Sequence, residues 1–432
     1  MAEPSSSALS PARRDQAGER ADQPAVAPPA PPVPGIAASI TGALEMPRLV
    51  RLDRNLFGAA FTLMKLLPAR YILNQAERSG QLTPGTVVIE TTSGTFGLAL
   101  AMECSLRGHR LILVSDPVID PPFRRRLQDL GAEVIIVERP ATVGGYQQAR
   151  LDRVAELCTR HPRHFLPRQY ANPHHPGAYA ALADALLEAL GRLDCLVGPV
   201  GSGGSMCGTA SALRRRQPGV WAVAVDTPGS VLFGQVDAPR RLRGLGNSIM
   251  PANLDHTVFD EVHWVSDREA FAATRALHRR HALFMGPTSG AAWLVAEWWA
   301  RTHPEARVVA LLPDEGHRYQ DTVYDDAWLR RRNLHLRRLP SRPVEVSRPT
   351  QAGAGWSWLR WGRRTYGEVV RREEWSWLRW GRRAYGDVVR RERGPTVDLT
   401  EVTELAGAAD RSGPPVGRPA SPLAGPGSGA AG

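Results

Sequence analysis

Lysine is all but absent from this chain of 432 residues. It occurs once, as Lys65, and the other 53 basic side chains are arginine. Arginine can replace a lysine that only pairs with carboxylates or aids solubility. It cannot replace one that must lose its proton. A guanidinium stays charged at any usable pH, whereas a partly desolvated lysine becomes a neutral amine that can attack a carbonyl and form a Schiff base. GC-rich codon drift that spared one lysine by chance would leave the same count, so the surroundings of Lys65 must decide. Long apolar runs are missing as well. No stretch of about 18 apolar residues reads as a membrane span. No charged start leading into an apolar block reads as a secretory signal. Cysteine is scarce: Cys104, Cys158, Cys195 and Cys207 show neither C-x-x-C spacing nor a histidine partner pattern. They read as reduced thiols of a cytoplasmic protein, with no metal site.

The chain is long enough for two domains and a sizeable core. Residues 1–45 are rich in Ala, Pro and Ser and read as a disordered leader; residues 395–432 read the same way. Between them, apolar runs alternate with helical stretches. Candidate strands are Thr86–Glu90, Arg110–Ser115, Glu133–Val137, Asp194–Val200, Val220–Val225 and Arg307–Leu312. Candidate helices are Leu66–Arg78, Phe96–Arg107, Arg124–Leu130, Tyr146–His161, Ala178–Leu190, Ser205–Arg215 and Ser289–Thr302. The alternation predicts an α/β fold of parallel sheets flanked by helices. The expected division is an N-terminal domain over 46–165, a C-terminal domain over 166–335 and a basic tail over 336–394. Ligands of such sheets bind beyond the carboxyl ends of the strands.

Two loops lie at such places. Gly201-Ser202-Gly203-Gly204-Ser205 follows one strand and opens a helix. Glycines let the backbone approach an anion, and the helix start offers free N–H groups and a positive dipole end. No Gly-Lys-Ser/Thr follows, and the full dinucleotide fingerprint is missing, so a single phosphate is the simpler ligand. Thr92-Ser93-Gly94-Thr95 likewise stands between a strand and a helix and suits a carboxylate, although a Thr/Ser helix cap is the commoner use of such residues. A lysine amine, a one-phosphate cup and a carboxylate loop together suit pyridoxal phosphate chemistry on an amino acid.

In these motifs the sequence resembles the cysteine synthase and cystathionine β-synthase family of pyridoxal-phosphate enzymes, over roughly residues 46–330. Lys65 precedes Glu77 as the family lysine precedes its Ala-Glu helix end. Thr92–Gly97 is similar to the family's Thr-Ser-Gly-Asn-Thr-Gly loop, and Gln169-Tyr170-Ala171-Asn172-Pro173 to its Gln-Phe-x-Asn-Pro. Gly201–Ser205 resembles the Gly-Thr-Gly-Gly-Thr cup, and Gly244-Leu245-Gly246 the Gly-Ile-Gly turn. Gly286–Ala291 resembles Gly-Ile-Ser-Ser-Gly-Ala, and Pro313–Tyr319 the closing Asp-x-Gly-Glu-Arg-Tyr segment. The resemblance implies that two parallel-sheet domains hold the cofactor in their cleft and that Lys65 carries it. It implies that Gly201, Ser202, Gly203, Gly204 and Ser205 bind its phosphate, that Thr288 meets the ring nitrogen and that Thr95 faces the phenolic oxygen. Thr92, Ser93, Gly94, Gln169 and Gly244 would hold the substrate.

The implied activity is β-elimination and β-replacement on an O-activated serine through an aminoacrylate, in a homodimer acting on small molecules. The departures surround the substrate. Thr62-Leu63-Met64-Lys65-Leu66-Leu67 replaces small polar groups with an apolar wall, Thr95 replaces an asparagine, and Tyr179 with Leu182-Ala183-Asp184 replaces His-x-x-Thr-Thr-Gly. Desolvation by that wall should lower the lysine's pKa. The nucleophile stays open: sulfide, a thiol, or an amine as in diaminopropionate-forming enzymes. A catalytically altered relative that binds or senses an amino acid is the other class.

Trp356–Arg372 recurs nineteen residues later from Trp375, with only Ala384 for Thr365 and Asp387 for Glu368. Residues 356–393 carry 11 arginines against 5 acidic groups. Each copy could form a basic amphipathic helix for an anionic surface or a partner protein, with no specific nucleic acid expected. The near-identity of the copies favours the plainer reading, a first copy packed on the enzyme and a second, recently duplicated one left idle.

Overall fold

The computed structural model describes residues 35–92, 94–142 and 145–370. Twelve strands form two sheets among them. In chain order they are β1 (Arg48–Arg51), β2 (Leu56–Ala60), β3 (Val87–Thr91), β4 (Arg110–Ser115), β5 (Glu133–Ile136) and β6 (His164–Phe165), then β7 (Cys195–Pro199), β8 (Trp221–Asp226), β9 (Glu261–Val265), β10 (Val308–Leu312), β11 (Val344–Glu345) and β12 (Trp356–Arg360). The large sheet runs β1-β2-β10-β7-β8-β9-β12-β11 and the small one β5-β4-β3-β6. The small sheet is parallel throughout, and so is the centre of the large one from β2 to β9. The chain is therefore α/β, with helices over parallel sheets.

Strands β7 and β10 are buried along their whole length, which explains their unbroken apolar sequence; β9 is equally buried but carries Glu261 and His263. The pleat then sorts the side chains. Leu196, Val309 and Leu311 enter one core, while Cys195, Val197, Val308, Ala310 and Leu312 enter the other. The small sheet divides in the same way, Leu111 and Leu113 on one face and Ile112 and Val114 on the other. No helix among the described residues is long and apolar enough to cross a membrane.

The structure corrects the sequence reading in four places. Strands β1 and β2 belong to the large sheet, with β2 parallel to β10, so the stretch 46–165 does not follow one sheet. Leu-Phe-Gly-Ala-Ala carries no β-branched residue, and its strand state comes from this pairing. The leader expected to reach residue 45 is packed at its end. Ser39 caps a short helix, Ile40–Ala43, and buried Thr41 accepts a hydrogen bond from Arg70 Nη1 at 2.9 Å. Residues 1–34 and 395–432 lie outside the described residues. Strands β6, β9 and β11 and the helix Asp267–His281 were not expected. Finally, the first repeat copy is no amphipathic helix. Its aromatic start forms β12, antiparallel to β9. Trp356 enters one core and Leu359 and Trp361 the other. Gly362 (φ 67°) and Arg363 (φ 56°) then turn the chain before a short helix, Tyr366–Val369. Buried Asp260 anchors this turn, pairing with Arg363 at 2.7 Å and with Arg214 at 2.6 Å. The second copy, Trp375–Arg393, lies outside the described residues.

The first copy is thus part of the fold, and its near-identical repeat offers a test. Deleting Trp356–Glu374 joins Gly355 to Trp375 and presents the second copy in the same register. The two changes fall on the capping box of Thr365 and Glu368, so the loss should be about 1 kcal/mol. Ending the chain at Gly355 removes fully buried Trp361, which alone should cost about 3–5 kcal/mol. Chemical denaturation of both variants gives the comparison; equal losses would show that the second copy does not fill the slot.

Candidate active site

Lys65 stands five residues beyond β2 and immediately before the helix Leu66–Arg78. The pairing of β2 with β10 continues past the sheet. Met64 N donates to Pro313 O at 2.8 Å, and Leu63 bridges Asp314. The amine therefore lies at the carboxyl end of the large sheet. Gly201–Ser205 follows β7 at the same end, and Thr92–Thr95 follows β3 of the small sheet. One cavity gathers these ends. Lys65, Thr92, Gly94, Thr95, Gln169, Gly201, Ser202, Ser205, Gly244 and Thr288 line it. Gly203 and Gly204 complete the turn behind that wall. Ser93 lies outside the described residues.

The amine is strongly perturbed. Met64, Leu66 and Leu67 are buried around its backbone. Desolvation lowers the lysine pKa from 10.5 to about 8. Lys65 Nζ donates to Ser202 Oγ at 3.2 Å and meets His175 Nε2 at 3.4 Å. His175 is fully buried, and desolvation, then the charge of Lys65, hold its pKa well below 6.5. Its tautomer follows from its other side. Asn253 Nδ2 donates to Gln169 O at 2.9 Å and faces His175 Nδ1 at 3.5 Å. The carbonyl fixes the amide nitrogen as the atom facing the ring, so Nδ1 accepts and Nε2 carries the proton. An N–H aimed at the lysine nitrogen favours the neutral amine over the ammonium.

The glycine turn is shaped by its neighbours. A Cβ at Gly201 would stand 2.9 Å from Gly244 O, and one at Gly204 only 1.9 Å from His175 Nδ1. Gly203 has φ +82° and would place a Cβ 2.8 Å from Leu254 Cα. The result is a concave stretch of backbone that opens the helix Gly204–Arg216. Across the cavity, Thr92 Oγ1 accepts from Gly94 N at 3.1 Å, and the helix Thr95–Arg107 starts there without a side-chain cap. Gln169 Nε2 donates to Thr91 O at 3.2 Å, which ties this loop to the far wall.

Sequence reasoning missed three residues. His175 lies 110 positions from Lys65, beside an Asn-Pro motif that gave no hint of the contact. Asn253 was equally silent. Asp314 was seen only as part of the closing motif. It is buried and faces Thr288, and it accepts from the Tyr319 hydroxyl at 2.8 Å. Burial lifts its pKa to about 6. The hydroxyl of Thr288 therefore does not act alone. Three buried cysteines offer no competing nucleophile: burial pushes the Cys104 and Cys207 thiols up to about 12 and the Cys195 thiol well above its ordinary value.

A desolvated amine beside a glycine-lined backbone cradle at a helix start fits a phosphorylated aldehyde cofactor, with the cradle able to take its phosphate and Lys65 its carbonyl. These features define a Schiff-base enzyme of α/β fold. Residues 62–314 match the family described as pyridoxal-phosphate dependent enzyme, and the chain belongs to that family. It is similar to the N-(2-amino-2-carboxyethyl)-L-glutamate synthases of Ralstonia nicotianae, 40% identical over 61% of this chain and 79% of the relative, and of Cupriavidus metallidurans, 38% identical over 66% and 88%. The crystal structure of an O-acetylserine dependent cystathionine β-synthase from Helicobacter pylori superposes with a TM-score of 0.61, covering 66% of this chain and 98% of that one at 28% identity. The chain is a pyridoxal-phosphate-dependent, β-replacing enzyme of the cysteine synthase type.

Two outcomes test this geometry. Below about pH 8 the Lys65 amine carries a proton and cannot attack; above it the amine is free. The rate at which cofactor-free protein takes up pyridoxal phosphate should therefore rise through about pH 8 and flatten above. His175→Leu removes the N–H that favours the neutral amine and should move that limb upward, while His175→Gln, which keeps a donor, should move it less. A limb near 10.5 in the parent protein would refute the desolvated lysine. Separately, Gly203→Val should weaken cofactor binding by about tenfold or more in an absorbance titration, because a branched side chain suits neither the left-handed backbone nor the space.

Proposed function

We propose that the chain joins an amine, that of an acidic amino acid, to the β-carbon of an O-activated serine. The product would be of the diaminopropionate type. The observation that carries this reading is the likeness to two glutamate-linked synthases at about two fifths identity over most of their length. The site supports it. Thr95 and buried Phe96 stand where the resemblance expects an asparagine and a threonine, and Arg243 and Arg318 line the cavity beside the lysine. An anionic substrate meets positive charge on entry.

The cofactor, when bound, supplies the electron sink that stabilises negative charge at the substrate's Cα. Everything else falls to the chain. The Gly201–Ser205 backbone and hydroxyls would hold its phosphate. Thr92 and Gly94, and Ser93 by the resemblance, would grip the substrate carboxylate, with Gln169 tied to Thr91 O just before that loop. Lys65 Nζ, neutral by desolvation and by its His175 neighbour, takes the proton from Cα and returns it after the nucleophile has added. Thr288, hydrogen-bonded to Asp314, would meet the ring nitrogen. Met64 and Phe96 keep water from the reacting carbon. We place the enzyme in the cytoplasm, on its four unbridged cysteines, and as a homodimer, on its resemblance to the family.

Incubating the full chain with O-phosphoserine or O-acetylserine, and with glutamate or sulfide in competition, should give a glutamate adduct by mass spectrometry. Cysteine as the sole product would overturn the amine reading. In Lys65→Arg both the bound chromophore and all turnover should vanish, because arginine forms no imine; borohydride reduction followed by peptide mapping should locate the cofactor on Lys65 in the parent.

A further inference from the structure

A second cavity, of about 600 Å³, adjoins the catalytic one and shares Arg243, Arg318 and Tyr319 with it. This size lies within the range of small-molecule sites. Six arginines line it against two aspartates, Asp120 and Asp321. Some of that charge is already balanced: Arg318 pairs with Asp120 at 3.0 Å, Arg240 with Asp237 at 2.8 Å and Arg241 with Asp267 at 3.5 Å. The rest is not. Among the described residues Arg126 has no carboxylate partner, and Arg332 lies over the Trp328 ring at 4.6 Å without one. Arg243 Nη2 donates to Val118 O, but its Nη1 is buried with no acceptor.

Guanidinium groups without a carboxylate partner are free to pair with a bound anion. We propose that this cavity seats the carboxylates of the second substrate, an acidic amino acid whose amine then reaches the catalytic cavity past Arg243. The proposal rests on the amine reading above. The arrangement suits such a molecule better than it suits sulfide. Sulfide needs no cavity of this size and no row of arginines. A concave wall with an excess of positive charge also concentrates an anion before it docks. The arginine wall could instead receive the leaving group of an O-phosphorylated serine, and the two anions are separable by kinetics.

The test uses the full-length, cofactor-loaded enzyme carrying Arg126→Gln, Arg332→Gln and both. Neither residue lines the catalytic cavity, and both are exposed, so cofactor absorbance serves as the folding check. With the double variant, KM for L-glutamate should rise about tenfold, while KM for the activated serine moves less than about twofold. Raised salt should weaken glutamate use in the parent more than in the double variant. A glutamate KM unchanged in the double variant overturns the cavity assignment, and so does a rise confined to the activated serine, which would mark a leaving-group seat. If the parent enzyme forms no glutamate adduct at all, the amine reading itself fails, and that result is visible before any variant is made.

Discussion

Everything in this molecule depends on holding one amine neutral at the carboxyl ends of parallel strands. The amine is placed by backbone, through the β2–β10 pairing and the Met64–Pro313 hydrogen bond beyond it. It is neutralised by its surroundings, because desolvation by the apolar residues around it lowers its pKa to about 8. At pH 7 about one such amine in ten is neutral, against a few in ten thousand for an unperturbed lysine. His175 bridges the two requirements. Its ring lies against the Cα of Gly204 in the cradle and, on the other side, against Lys65 Nζ. The cup and the nucleophile are therefore set relative to each other by one buried imidazole.

This arrangement explains why part of the site could be read from sequence and part could not. Glycine turns between a strand and a helix, and a lone lysine, are local signals whose physical cause lies within a few residues. They pointed to Lys65 and Gly201–Ser205 directly. Contacts that close over long chain separations leave no such mark. His175 reaches Lys65 only because the helix Leu66–Arg78 and the chain after Asn172 pack side by side, and Asn253 reaches His175 from a third segment. The only trace was indirect: Gly204 must be glycine because a histidine ring occupies the space of its side chain. Fold elements divide in the same way. The apolar strands β7 and β10 announce themselves. β2 does not, since Leu-Phe-Gly-Ala-Ala becomes a strand through its partner.

The first tryptophan-arginine copy packs on the enzyme as expected, but the helix considered for it fails for a related reason. Its aromatic and arginine spacing is compatible with a helix face, yet Trp356, Leu359 and Trp361 are divided between the two cores of the large sheet. Only an extended strand sends alternate side chains to opposite faces. Gly362 and Arg363, both with positive φ, then forbid a helix running through. The basic character of the segment is largely incidental to this packing. Its arginines serve locally, Arg363 on Asp260 and Arg364 on the carbonyls of Trp361 and Arg360. Positive charge in a segment of this kind is no sufficient argument for an anionic partner.

The contrast between one lysine and 53 arginines then takes on a chemical sense. An aldehyde cofactor reacts with any accessible neutral amine. Arginine offers charge, bidentate hydrogen bonds and stacking without that reactivity. Arg318 shows the division of labour: it pairs with Asp120 and lies over Phe123 at 4.1 Å, close to the catalytic cavity, where a lysine would be a second candidate for the imine. A positive wall around an aldehyde is safest when built from guanidinium groups. Positive charge can then be placed wherever an anion must be gathered, and covalent chemistry stays at the one position where burial frees an amine.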